Sequence, residues 1–309
     1  MYFGNGVKSW AMRSINKIEE LNNFKHASLD KEYNLINQNL ELILASVSDK
    51  ININIVDIGP GSGYPVFPIL SFLQEKKKLG KYITIDIAEG MCDLAINNLT
   101  NTEHLTKMKT TKYVHDFEYG HFANLMRKER KEKTVNLFVF IGSTLGSMVD
   151  RHRALANIRD SMTEGDLLWV GIPLYVYNNV SQIINLYSKK QKDPTDYIKK
   201  SNYHTCPLES LGMKDWKKFG KVLSQEIDAK GLLRYYFKVE KFFILEIPKT
   251  GKTKKIVQLK YQKGDEITLN RRKNYYDNDL VTEFRECGFK IKMMNMSKDY
   301  SWALVLASV

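Results

Sequence analysis

The sequence predicts an α/β protein: a Rossmann-like sheet with an N-terminal helical segment and an additional α+β element beside it. Three observations point there. From Ile51 onward, β-branched runs alternate with helical spacings about 25 to 30 residues apart. A glycine-rich turn directly follows the first of those runs, and two long extended, aromatic-rich runs come after the last of them.

Each element has its own signal. Residues 7 to 49 carry apolar side chains at helical spacing, first Trp10, Ile15, Ile18 and Leu21, then Leu35, Ile36, Leu40, Ile43 and Leu44, with Ser28 and Asp30 as caps. Strands are expected at Ile53 to Ile58, Tyr82 to Ile87, Lys112 to His115, Val135 to Ile141 and Leu167 to Gly171. Helical patterns fill 65–76, 90–99, 119–130 and 151–161, so the strands should lie parallel, covered on both faces. Sheets of this kind take ligands at the carboxyl ends of their strands.

After Tyr175 a lysine-rich stretch to residue 226 reads as helical, interrupted at Pro194 and Pro207. Leu232 to Ile247 and Lys254 to Leu269 read as a hairpin turning at residues 248–252. A helix at Asp279 to Cys287, stopped by Gly288, precedes a last strand pair, Phe289 to Met294 and Trp302 to Ala307. The expected organisation is therefore an N-terminal helical segment (1–50), a ligand-binding Rossmann-like core (51–175), and a β-rich substrate or cap region (176–309) whose final strands complete the sheet.

Composition narrows the functional classes. With 309 residues and 43% hydrophobic content the chain can bury a substantial core. Its longest apolar runs, such as Phe138 to Ile141, fall far short of the roughly 20 residues that span a bilayer. A soluble, cytoplasmic protein without membrane contact is the expectation. Cys92, Cys206 and Cys287 are widely spaced, which fits neither a disulfide framework nor a zinc site, so free thiols and no metal are expected. The net charge of +12 suits contact with an acidic macromolecule, yet lysine is spread along the whole chain.

The chemistry concentrates in Val56-Asp-Ile-Gly-Pro-Gly-Ser-Gly63, with Gly59, Gly61 and Gly63 at alternate positions. Glycines behind a strand let backbone N–H groups approach a ligand, and the next helix presents its positive end. The spacing is not that of a dinucleotide loop, and no lysine follows the last glycine as in a P-loop. Asp57 inside the loop would repel a pyrophosphate and attract a ligand bearing an ammonium and a sulfonium. S-adenosylmethionine is such a ligand.

This loop resembles motif I of the class I S-adenosylmethionine-dependent methyltransferases. The resemblance implies that Asp86, closing the second strand, binds the ribose hydroxyls, and that Asp116 and Phe117, after the third, bond and cover the adenine. A narrower similarity, to the histidine-specific, ergothioneine-pathway methyltransferases, lies in Phe140-Ile-Gly-Ser-Thr-Leu-Gly-Ser147, in residues 161–174 and in 263–276, 286–289 and 301–307. It adds Gly142 and Ser143 to the cofactor site and implies acceptor contacts from Tyr33, Ser147, Asn270 and Arg272. Tyr175, just beyond the fifth strand, is an acceptor-side candidate by position.

Two departures bear on the acceptor. That family closes the first motif with asparagine where this chain has Ser147, and has Thr-Glu-x-Ser where this chain has Leu269-Asn-Arg-Arg272. A carboxylate that would hold a histidine ring is thus an asparagine, and a small hydroxyl is a cation. The expectation is N-methylation of an amino-acid-like or other small acceptor other than histidine, with an acidic group near Arg272. A protein side chain or RNA is the alternative acceptor, and a non-catalytic binding module the third reading. His115, His121, His152 and His204 are base candidates by residue type only, so no catalytic residue is assigned.

Overall fold

The computed structural model describes residues 27–47, 51–175, 205–210, 212–213, 215–226, 231–248 and 256–309. The expectations for residues 7–26, for the helical stretch 176–204 with His204, and for the hairpin turn after residue 248 lie outside these residues. The described residues fall into two compact units, one of 27–175 with 274–309 and the other within 205–273.

The first unit opens with α1 (Ala27–Gln38) and α2 (Leu40–Ala45). Ser28 and Asp30, expected as caps, lie inside α1, because the helix begins upstream of them. Five parallel strands follow: β1 (Asn52–Ile58), β2 (Leu79–Asp86), β3 (Lys109–Val114), β4 (Thr134–Phe140) and β5 (Leu167–Pro173). They alternate with α3 (Phe67–Glu75), α4 (Glu89–Thr100), α5 (Ala123–Glu129) and α6 (Arg151–Ser161). Helix α6 is opened by Asp150, whose side chain accepts the N–H of Arg153.

The central strands are buried on both faces, which is why β5 reads as a continuous apolar run and β4 nearly so, while β1 also buries Asn54 and Asp57. One face packs Phe138, Phe140 and Val170 against α5 and α6, and the other packs Ile53, Ile55 and Trp169 against α1 and α3. Leu35 and Ile36 bring α1 onto that second face.

The second unit contains α7 (Cys206–Ser210), β6 (Gly220–Glu226), β7 (Leu232–Val239), β8 (Phe243–Pro248), β9 (Ile256–Tyr261) and β10 (Glu266–Lys273). Residues 220–226 are a strand where the lysine-rich spacing suggested helix; pairing with β7 overrides the local pattern. The two extended runs do pair antiparallel, but in two separate sheets: Leu232 pairs with Lys273 in one, whose register shifts between Thr268 and Asn270, and Phe243 pairs with Tyr261 in the other. Phe237, Trp216 and Phe243 form its core.

The chain then returns to the first unit through α8 (Asp277–Glu286), stopped at Gly288 with φ 79°, and the pair β11 (Lys290–Met296) and β12 (Trp302–Ser308). β12 runs antiparallel between β5 and β11, giving the seven-stranded order β11-β12-β5-β4-β1-β2-β3. The strand order reverses between β1 and β4, the switch point at which open α/β sheets bind ligands. No helix among the described residues is long and apolar enough to cross a membrane.

Candidate active site

Strand β1 ends at Ile58, and the chain turns sharply because Gly59, Gly61 and Gly63 all adopt positive φ, 63°, 57° and 74°. The Gly59 N–H reaches across to the Ile85 carbonyl at 2.9 Å, fixing the start of the loop against β2. A Cβ on Gly59 would stand 2.8 Å from Thr144 Cγ2 and 3.6 Å from the Phe117 ring. At Gly63 it would meet Leu99 Cδ1 at 2.9 Å and the Ala95 carbonyl at 3.0 Å, so this glycine lets the loop lie against α4. Side chains are therefore excluded from the turn on two sides.

Asp57 points to the same face of the sheet as Ile53 and Ile55, since residues two apart share a face. It is buried, and Tyr82 on β2 donates to its Oδ2 at 2.7 Å. Burial pushes its carboxyl up to about 7, against the opposing Tyr82 hydrogen bond and with help from the nearby charge of Asp86. Asp86, at the end of β2, is likewise buried and accepts the Ala88 N–H at 2.8 Å. Burial raises it to about 6, the Ala88 bond acting in the other direction. Two desolvated carboxylates side by side make a place where a cation is favoured.

One strand further out, Asp116 follows β3, and its Oδ1 accepts the backbone N–H groups of Glu118 and Tyr119, both at 3.0 Å. That turn seats Phe117 in the core, edge-on to Phe140 with ring centroids 5.7 Å apart. The tip of Phe117 faces the glycine loop. The three acids expected at successive strand ends do line the edge of β1, β2 and β3.

The loop after β4 completes the arrangement. Gly142 and Ser143 both have positive φ, 74° and 68°. For a serine this is an uncommon conformation, held by its surroundings. Thr144 donates to the Ile141 carbonyl at 2.9 Å and abuts Gly59. Ser147 lies in the 3-10 turn Leu145–Ser147, its hydroxyl 3.4 Å from the Ser143 carbonyl.

Sequence reasoning missed Glu32. On α1 it is buried, and its Oε1 accepts the Gly142 N–H at 2.8 Å. The signal was present: Glu32 stands in the stripe of Leu35 and Ile36, the face α1 buries, so a carboxylate sat where an apolar residue was due. Tyr33 is its half-buried neighbour. Tyr175, just past β5, stacks at a tilt on Tyr276, centroids 5.0 Å apart.

Asn270 and Arg272 lie on β10, in the other unit, where Arg272 pairs in register with Leu233. Of the histidines, His152 contacts Glu286 at 3.1 Å and His115 packs on Phe122. The three cysteines form no disulfide and are buried, and burial pushes each thiol up to about 11, which makes them poor nucleophiles. Cys206 opens α7. Among the described residues no cluster of side chains could hold a metal.

A cradle that a Cβ would fill, flanked by paired buried carboxylates, fits a donor carrying a sulfonium and an ammonium. A family profile described as histidine-specific methyltransferase, dependent on S-adenosylmethionine, matches residues 16–309. The chain belongs to this methyltransferase family. The methyltransferase thus takes S-adenosylmethionine as its methyl donor, and its sheet is of the Rossmann-like class I type. Among curated proteins no match is found.

Solved structures similar to the methyltransferase include an S-adenosylmethionine-dependent methyltransferase from Clostridium acetobutylicum, at 10% identity and a TM-score of 0.49, covering 96% of this chain and 98% of that one. The CcbJ methyltransferase from Streptomyces caelestis has 8% identity and a TM-score of 0.43, with 89% of each chain covered. The glycopeptide N-methyltransferase MtfA, complexed with S-adenosylhomocysteine, has 10% identity and a TM-score of 0.43, covering 88% of this chain and 86% of that one.

Proposed function

We propose that this methyltransferase methylates nitrogen on an amino-acid-like or other small acceptor other than histidine. The observation that carries this reading is the pair of substitutions in the acceptor motifs: Ser147 closes the loop after β4, and Asn270 with Arg272 replaces a glutamate and a serine in the late segment. Support for the acceptor class comes from the family match. Support for a different acceptor comes from the carboxylate lost at Asn270 and the cation gained at Arg272, whose Nε is shielded from water and has no hydrogen-bond partner among the described residues. An acidic group on the acceptor would supply that partner.

In this reading Asp57 and the backbone of Gly59, Gly61 and Gly63 hold the donor's amino-acid end, Asp86 holds the ribose, and Asp116 with Phe117 holds the adenine. Gly142 and Ser143 line the site on the β4 side. The bound donor supplies an electrophilic methyl group on sulfur. The protein's share is alignment and exclusion of water, which in well-oriented cases supplies on the order of 7 to 11 kcal/mol. Ser147, Tyr33 and Tyr175 orient the acceptor by hydrogen bonds and packing. The acceptor nitrogen attacks in its neutral form, so the rate should rise with pH through the acceptor's own ionisation.

Turnover of a panel of amino acids and small amines, each with and without a second carboxylate, tests the reading. Acidic acceptors should be preferred, and Arg272→Ala should raise their KM about tenfold while leaving kcat within a factor of three. Histidine turning over as the best acceptor, or an Arg272→Ala enzyme indistinguishable from the parent, would remove this assignment.

A further inference from the structure

The buried carboxylate of Glu32 has no place in the donor or acceptor roles above. It comes from α1, far from the glycine loop in sequence, yet its Oε1 receives the N–H of Gly142 at 2.8 Å. It also occupies the space beside Gly171 on β5: a Cβ at residue 171 would stand 2.2 Å from Glu32 Oε1. Gly171 lacks the positive φ of the loop glycines, so its backbone alone does not require glycine. The glutamate does.

From Gly142 the path to the donor loop is continuous. Gly142 and Ser143 hold left-handed conformations that open the turn, and Thr144 then presses its methyl group against Gly59. A serine at φ 68° persists only where neighbouring contacts fix it. Among the described residues, the side chain that bonds the backbone N–H at the start of this turn is that of Glu32. Helix α1 is itself fastened to the β11–β12 turn, where Lys31 bonds Asp299 and also donates to the Ser301 hydroxyl at 2.9 Å.

We propose that Glu32 is a positioning residue for the donor site: by bonding the Gly142 N–H it fixes the Gly142–Thr144 turn against Gly59, and so keeps the glycine loop in its binding shape. The role is that of a hydrogen-bond acceptor of the right reach, seated in the space that Gly171 leaves. The proposal rests on the donor-site reading given above.

The test is calorimetric titration with S-adenosylhomocysteine, alongside thermal melting, on the full chain carrying Glu32→Ala, Glu32→Gln, Gly171→Ala and the double change Glu32→Ala/Gly171→Ala. Glu32→Ala should weaken binding about tenfold or more. Glu32→Gln, which still offers an oxygen to Gly142, should bind within about twofold of the parent. Gly171→Ala should weaken binding like Glu32→Ala by driving the carboxylate off its seat. The double variant should bind no worse than either single one, since both changes break the same contact.

Should Glu32→Ala and Gly171→Ala bind the probe as the parent does, or Glu32→Gln fail as badly as Glu32→Ala, the positioning role is overturned. If Glu32→Ala does not fold, the Gln and Gly171 variants decide the matter alone. A parent protein that takes up no S-adenosylhomocysteine would instead overturn the donor-site reading, a result distinct from any difference among the variants.

Discussion

Gly59→Ala should cut affinity for S-adenosylhomocysteine by on the order of a hundredfold. Two costs combine. At φ 63° any residue with a Cβ is strained, at about 1–3 kcal/mol for such conformations. The added carbon also meets Thr144 Cγ2 at 2.8 Å, so the loop or the β4 turn must move. A loss of about 2.7 kcal/mol corresponds to a hundredfold in affinity. Because the steric part runs through one methyl group, Thr144→Ser should restore a share of the binding to Gly59→Ala. Gly264→Ala makes the comparison: φ is 101° there but nothing lies within 4 Å, so its strain should lower the melting temperature without touching the titration. A Gly59→Ala protein that binds within threefold of the parent would contradict the close packing of these two loops.

The second large effect concerns pH. Asp57 is raised from 3.8 to about 7, first by burial. Around pH 6 it is therefore mostly neutral, and around pH 8 ionised. A donor with a positive ammonium and sulfonium favours the ionised form, so its uptake expels a proton and affinity should climb as pH rises. Between pH 6 and 8 the gain should be roughly five- to tenfold, tailing off above the free-state value. Asp57→Asn keeps an oxygen for the Tyr82 hydroxyl but no charge. It should bind S-adenosylmethionine some tens of times more weakly at pH 8 and lose most of this pH dependence, leaving the contribution of Asp86 near pH 6.

Stability should move oppositely. A carboxyl whose folded value is raised favours folding fully below its unfolded value, and that advantage is lost as pH rises through the folded one. The free enzyme should therefore lose stability from about pH 4 to about pH 7, by an amount on the order of a few kcal/mol. In Asp57→Asn this decline should flatten, and the melting temperature at pH 8 should rise. A variant that melts lower than the parent and binds as well would show Asp57 to be a structural group instead.

How much of this was legible in the sequence depended on how local the signal is. β1, β4 and β5 announce themselves because strands buried on both faces are mostly apolar, and the glycine turn because its positive φ favours glycine. The acids Asp57, Asp86 and Asp116 follow from their places at strand ends. β6 was misread because residues 220–226 owe their conformation to a partner strand, a long-range pairing that local spacing does not encode. Glu32 was overlooked for a related reason. Its meaning comes from Gly142 and Gly171, 110 and 139 positions away, which only the folded chain brings together.

Strand β12 sits inside the sheet, with Trp302 opposite Pro173, while residues 177–273 of the other unit intervene between them in the chain. During synthesis β5 must wait with an unpaired edge until residues 302–308 leave the ribosome. Nascent chains arrested before that point should be protease-sensitive in β5 and prone to clump, since an open apolar strand recruits strangers. Closing so long a loop also predicts slow refolding from denaturant, even though the intervening hairpin can form early by itself.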